Sequence, residues 1–191
     1  MIGVGEDCKK MSVFLHNVDK GYTVTGKLGT ATDTLDATGE VTEEKPWQHV
    51  IKEDLEKALI EFQGEISQVP PLYSALKVDG KRLSDHAREA SAQSSECMAT
   101  PQPRLVNIHS INLTEFKPPH FTVEVLCGSG TYMRSLVRDL GTKLGTVAHM
   151  EHLCRTKHGP FSLEDALCRS QWTVAEIEAA IDRHSSKLTK I

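Results

Sequence analysis

Apolar and polar residues alternate along 121–127, and the pattern then changes period. Phe121, Val123, Val125 and Cys127 share one side of an extended segment. Beyond Gly128-Ser-Gly130, Met133, Leu136, Val137, Leu140 and Leu144 follow the three-and-four spacing of an amphipathic helix. The chain should therefore pass from strand to helix across two glycines, which allow a sharp turn and close approach of another molecule. Tyr132 and Arg134 fall at the helix entrance, where unpaired backbone N–H groups favour anions. A ring and a guanidinium placed there can stack a base and hold a carboxylate or phosphate. The same pattern also suits a plain strand–turn–helix joint carrying a surface arginine.

Other segments read similarly. Gly21 to Thr32 predicts a strand, with Tyr22, Val24, Gly26 and Leu28 on one side, followed by a polar loop to Gly39. Asp33 and Asp36 in that loop suit turn backbone better than a metal, since no third ligand follows at the right spacing. Ile51, Leu55, Ala58, Leu59 and Phe62 form the apolar face of a helix that Gly64 stops. Pro70-Pro71 forces an extended run into a short strand at Tyr73–Val78, Asp79-Gly80 marks a turn, and a helix covers Arg82–Glu89. Residues 90–103 read as an exposed loop, and 104–128 as a hairpin turning at Lys117–His120. Val147–Cys154 predicts a further strand with Cys154 buried in it. Capping patterns at Ser162–Asp165 and Thr173–Glu176 open a short helix to Cys168 and a terminal helix with Val174, Ile177, Ile181 and Leu188 inward. At the other end, Met1–Gly5 resembles the tail of a strand, with a short helix around Cys8–His16. The expectation is a single α+β domain over residues 1–191, with a mixed, mainly antiparallel sheet and flanking helices.

Composition narrows the functional classes. A chain of 191 residues can bury one substantial core, and no apolar run has the length of a membrane span. Five scattered cysteines without a Cys-x-x-Cys pair indicate free thiols in a reducing compartment: nucleus, cytoplasm or mitochondrial matrix. His149, His152 and Cys154 lie close in sequence but lack a fourth metal ligand. With a net charge of −4, a nucleic-acid partner must be held by a local patch. Lys77, Lys81, Arg82 and Arg88, with Tyr73 beside them, form the densest basic run and could serve as that patch or as a solvated hairpin.

Four segments together resemble the TruB-type RNA pseudouridine synthases, the eukaryotic tRNA pseudouridine-55 branch in particular. They are Gly21-Tyr22 with Leu28-Gly-Thr-Ala-Thr-Asp-Thr-Leu-Asp36-Ala-Thr-Gly39, Gln68-Val-Pro-Pro-Leu-Tyr73-Ser-Ala-Leu-Lys77, Gly128-Ser-Gly-Thr-Tyr132-Met-Arg134, and Leu153-Cys-Arg155-Thr-Lys-His-Gly-Pro-Phe161. The resemblance implies isomerisation of uridine in tRNA, chiefly uridine 55 of the T-loop, and in mRNA sites. It implies a monomer that needs no metal or organic cofactor and no membrane. By motif, Tyr22 resembles the tyrosine that stacks on the flipped base, and Arg134 the arginine that holds the catalytic aspartate ionised. Tyr132 resembles a pocket wall and Asp36 a polar residue near the site. Tyr73, Lys77, Lys81, Arg82, Arg88 and Arg155 would contact RNA. Met1–Gly5 resembles the stretch that follows the family's nucleophilic aspartate, so no aspartate of this sequence occupies that role. The sequence is thus expected to be an N-terminally truncated form without its first strands and without an appended C-terminal RNA-binding domain. The alternative is a catalytically incomplete RNA-binding or tRNA-chaperone form.

Overall fold

The strand–turn–helix joint predicted at 121–144 sits at the middle of the structure, a computed structural model that describes residues 18–93 and 101–188. The strand tail at Met1–Gly5 and the helix around Cys8–His16 lie outside the described residues. Strand β1 (Lys20–Leu28) lies between β8 (His120–Cys127) and β9 (Ala148–His158), antiparallel to both. Beyond β8 come β7 (Arg104–Lys117) and β4 (Gly64–Gln68), and beyond β9 the two-residue β10 (Phe161–Ser162). All pairings of this six-stranded sheet are antiparallel. Among the described residues, a parallel contact enters only as an isolated bridge between Asp36 and Met150.

Helices cover one side of the sheet. Helix α1 (Lys52–Glu61) buries Leu55, Ala58 and Leu59, and α3 (Met133–Lys143) buries Met133, Leu136, Val137 and Leu140. These join Val24, Leu28, Phe121, Val123 and Val125 in one core. Gly26 makes room for that packing: a Cβ there would lie 2.5 Å from Cζ of Phe121 and 3.0 Å from Val137 Cγ1. Ile51 departs from the predicted apolar face. It precedes the first helical residue as the N-cap and is 52% exposed.

Several boundaries move for local reasons. The first strand stops at Leu28, because Gly29 (φ +93°) turns the chain into β2 (Thr30–Thr32), which pairs with β3 (Val41–Glu44). Every residue of β3 is exposed, so it has no apolar alternation to read. Gly64 (φ +94°) ends α1 and also begins β4. The strand expected over Tyr73–Val78 shrinks to β5 (Lys77–Val78), paired with β6 (Lys81–Arg82) across Asp79 and Gly80, both with positive φ. Helix α2 (Leu83–Gln93) runs past Glu89 into the stretch read as loop. Pairing with β1 carries β9 beyond Cys154 to His158, and Cys154 is exposed, not buried.

The C-terminal segment differs most. Residues 163–165 and 169–171 form single 3₁₀ turns in place of the short helix. Helix α4 (Val174–Leu188) forms as expected, yet Val174 is 73% and Ile181 46% exposed, while Ile177 is half-buried. The side chain of Leu188 lies outside the described residues. Polar contacts tie the far end of this helix: Lys187 Nζ donates to both Asp165 oxygens at 2.8 and 2.7 Å, and His184 Nδ1 lies 3.5 Å from Asp165 Oδ1.

The Lys187 ammonium first, then the Ser162 N–H, hold the Asp165 carboxyl down at about 2. A folded-state pKa below the unfolded value means stability present above the ordinary carboxylate range and lost as pH falls through about 2. Amide hydrogen exchange should therefore show α4 losing protection below about pH 4, ahead of the central strands. Asp165→Asn should have lost that protection already at neutral pH; retention of protection in this variant would show that α4 is held some other way.

Candidate active site

Three segments far apart in sequence meet at the entrance to α3. The first is the turn 128–132: the Gly128 N–H donates to the Asn107 carbonyl at 2.9 Å, Gly130 takes φ +88°, and Tyr132 is the N-cap. The second is the strap from Gln68 to Ser74 that follows β4. The third is the polar loop 32–39, where Leu35 has φ +62°, a sparsely populated conformation for a branched residue. Hydrogen bonds from the Ala37 N–H to the Met150 carbonyl and from the Met150 N–H to the Leu35 carbonyl, both 3.0 Å, fasten this loop to β9.

Arg134 joins all three, so it is not the surface arginine of a plain joint. Its Nη1 donates to the Thr34 carbonyl at 3.0 Å and to Asp36 Oδ2 at 3.3 Å, and its Nη2 donates to the Tyr73 carbonyl at 2.7 Å. Both members of the Arg134–Asp36 pair are only 21% exposed. Asp36 Oδ1 also accepts from Thr34 Oγ1 at 2.8 Å, from the Thr38 N–H at 3.0 Å and from Thr38 Oγ1 at 2.5 Å. Burial pushes the Asp36 carboxyl up, but the Thr38 and Thr34 bonds and the Arg134 charge outweigh it and leave it below the usual carboxylate range. The carboxylate is thus ionised at neutral pH and held by Thr34, Thr38 and Arg134.

Tyr22 lies on β1 between Val125 and Arg155, half-buried and packed against the core. Burial pushes its phenol up, the nearby Cys127 adds to this, and the Arg155 guanidinium opposes it, so the ring is neutral at neutral pH. The structure thus brings Arg134, Asp36 and the Tyr73 backbone together beside Tyr132, and puts Tyr22 with Arg155. Lys77 and Arg82 face each other across the β5–β6 pair, both exposed. That hairpin is tied to the strap, since the Ser84 N–H donates to the Ser74 carbonyl at 3.2 Å and the Leu83 N–H to the Leu76 carbonyl at 2.8 Å. Lys81 pairs with Glu89, and Arg88 with Asp85 at 3.5 Å, so these two cations already have acidic partners.

Gln68 was not singled out from the sequence. It is 2% exposed and clamps Tyr132: its Oε1 accepts from the Tyr132 N–H at 2.8 Å and its Nε2 donates to the Tyr132 carbonyl at 3.1 Å. Next to it, the Val69 carbonyl accepts from Ser135 Oγ at 2.8 Å and Arg138 Nη2 at 3.3 Å. The available signal was a polar residue two positions before a double proline, where only a specific partner makes burial tolerable. Of the histidines near Cys154, buried His149 has its Nδ1 2.8 Å from the Thr30 carbonyl, while His152 is exposed. Among the described residues no cluster of histidine, cysteine and carboxylate could hold a metal.

The sheet, its flanking helices and the site at the strand–turn–helix joint have the fold of a pseudouridine synthase catalytic domain. The chain overlays Cbf5 in a crystallised Cbf5–Nop10–Gar1 complex with a TM-score of 0.61 and 23% identity, over 95% of this chain and 42% of that one. An archaeal box H/ACA sRNP Nop10–Cbf5 complex gives 0.55 and 21%, over 97% and 41%. Sequence places it more narrowly. Residues 1–133 match the N-terminal domain model of TruB family pseudouridylate synthases and residues 134–190 the tRNA pseudouridylate synthase B C-terminal domain model, and the chain belongs to the TruB family. It is 46% identical over 189 residues to pseudouridylate synthase TRUB1 of Mus musculus, covering 98% of this chain and 54% of that protein. Against tRNA pseudouridine synthase B of Pseudomonas aeruginosa the identity is 44% over 161 residues, 84% of this chain and 51% of the relative. The chain spans about half the length of these curated relatives.

Proposed function

We propose that the protein converts uridine to pseudouridine in RNA, chiefly uridine 55 of the tRNA T-loop, with similarly shaped mRNA loops as further substrates. The observation that carries this reading is the Arg134 guanidinium, held by Asp36, Thr34 and Tyr73 at the mouth of a helix N-terminus. Such an arrangement is a fixed positive charge able to keep a neighbouring carboxylate ionised. In the reaction the bond from N1 of the base to the sugar breaks, the base rotates, and its C5 bonds to the same sugar carbon, with the C5 hydrogen replaced and N1 protonated. Unstacking the uridine costs roughly a few kcal/mol, which the Tyr22 ring and pocket hydrogen bonds offset. Asp36 orients Arg134 and Tyr132 walls the pocket. Lys77, Arg82 and Arg155 meet phosphates, with Tyr73 beside them.

The attacking aspartate is the one the family carries just before the stretch that Met1–Gly5 resembles. A second reading, RNA binding without turnover, is favoured for residues 1–191 alone because the Asp36 carboxylate is already engaged by Thr34, Thr38 and Arg134. Pseudouridine formation on an unmodified T-arm, measured for this chain beside one extended upstream by the aspartate-bearing segment, decides between them. Turnover by the extended chain alone is expected. Turnover by neither would overturn the enzymatic reading, and turnover by the short chain would move the nucleophile to Asp33 or Asp36. Affinity should fall with salt, and Lys77→Ala or Arg82→Ala should each flatten the log–log slope by about 0.7–0.9.

A further inference from the structure

We propose that Gln68 is a positioning residue of the site, acting through the backbone of Tyr132 on the reach of Arg134. The proposal rests on the pseudouridine synthase reading for its consequence in turnover, but its geometric content stands apart from it. Helix α3 has no side-chain cap of its own at Tyr132. What holds that residue is an amide from 64 residues upstream, using its donor and its acceptor at once. The Gln68 amide is almost wholly buried, so water cannot replace either bond without entering the core side of the strap.

Two residues on, Arg134 makes three bonds to two separate segments, and a planar guanidinium tolerates little rotation before one is lost. The Ser135 and Arg138 bonds to the Val69 carbonyl anchor the body of the helix to the strap. They act beyond the N-cap, which the helix itself holds only through the Leu136 N–H to the Tyr132 carbonyl at 3.1 Å. Gln68 adds a tie from outside the helix, because bonds to the N–H and to the carbonyl of one residue hold the peptides on both sides of its Cα. The double proline that follows stiffens the strap carrying the clamp, and the same strap presents the Tyr73 carbonyl to Arg134. One short segment therefore sets both the arginine and one of its acceptors.

The test uses two variants of the isotope-labelled chain and reads the guanidinium resonances of Arg134 by NMR. Gln68→Met keeps the volume and loses both bonds; the Arg134 signals should move toward those of a solvent-exposed arginine, and turnover by the upstream-extended chain should fall on the order of tenfold. Gln68→Glu keeps an acceptor for the Tyr132 N–H, but when ionised it sets a carboxylate against the Tyr132 carbonyl. Its Arg134 signals and its turnover, relative to the wild type at the same pH, should recover as the pH is lowered and the buried acid gains a proton to donate. A purely structural role would lower the melting temperature and leave the Arg134 signals of the folded variants in place. That outcome, or a Gln68→Glu variant without pH-dependent recovery, overturns the proposal. An upstream-extended wild type without turnover would sink the enzymatic reading, and the Arg134 signals would still decide the role of Gln68.

Discussion

Arg134→Ala in the upstream-extended chain should lower pseudouridine formation on the order of 10²- to 10³-fold while leaving affinity for tRNA within a few-fold. The substitution removes a charge that is four-fifths buried and already satisfied by protein, not a phosphate contact in open solvent. It orphans the Thr34 and Tyr73 carbonyls and deprives Asp36 of its counter-charge. Lysine should not restore turnover. Its single ammonium cannot span two acceptors on opposite sides as the flat fork does. Single-turnover kinetics beside equilibrium binding separate the two quantities, and wild-type turnover in Arg134→Ala would remove the arginine from the mechanism.

Gly141→Val should cost about 3 kcal/mol of stability and lower the melting temperature by about 10 °C. Gly141 is where α3 meets the beginning of β9. A Cβ there would lie 2.6 Å from the Ala148 nitrogen and 2.8 Å from the Val147 carbonyl carbon, both backbone atoms that no rotamer change can move. The Thr146 N–H also donates to the Gly141 carbonyl at 3.0 Å, which ties the two segments at the same spot. The helix would have to lift from the sheet, and Arg134 at its other end would swing with it. Thr142→Ala, one residue on and exposed, serves as the control and should stay within about 0.5 kcal/mol of wild type. A Gly141→Val chain melting with the control would show that α3 has room to move.

The central joint was legible because its residues face in alternate directions and the burial follows. Phe121, Val123, Val125 and Cys127 are all buried, as are Met133, Leu136, Val137 and Leu140. The resemblance gave Asp36 only as a polar residue near the site, and its pairing with Arg134 emerged from the structure, since periodicity left it as a turn residue. What stayed hidden had no periodic signal. Strand β3 is exposed throughout, β5 and β6 have two residues each, and Gln68 is a polar side chain whose burial depends on a partner 64 residues away. The terminal helix misled for the opposite reason. Val174 and Ile181 have the right spacing for an inward seam, but the helix is fastened by Lys187 and His184 around Asp165, and those two face out. Spacing reports which residues share a face, not whether anything covers it.

The contacts of Arg134 reach across 100 residues to Thr34 and 61 to Tyr73. Closing loops of that size costs entropy before any bond rewards it, so these contacts belong to the end of folding, not its beginning. A collapsed chain with its hairpins paired but α3 not yet docked would hold the residues of the site without their contacts. Under the proposed uridine-isomerising reading, ability to seat a uridine is a stringent report on completed tertiary structure. A partly folded chain should bind RNA through its loose cations long before it can discriminate one base in a loop.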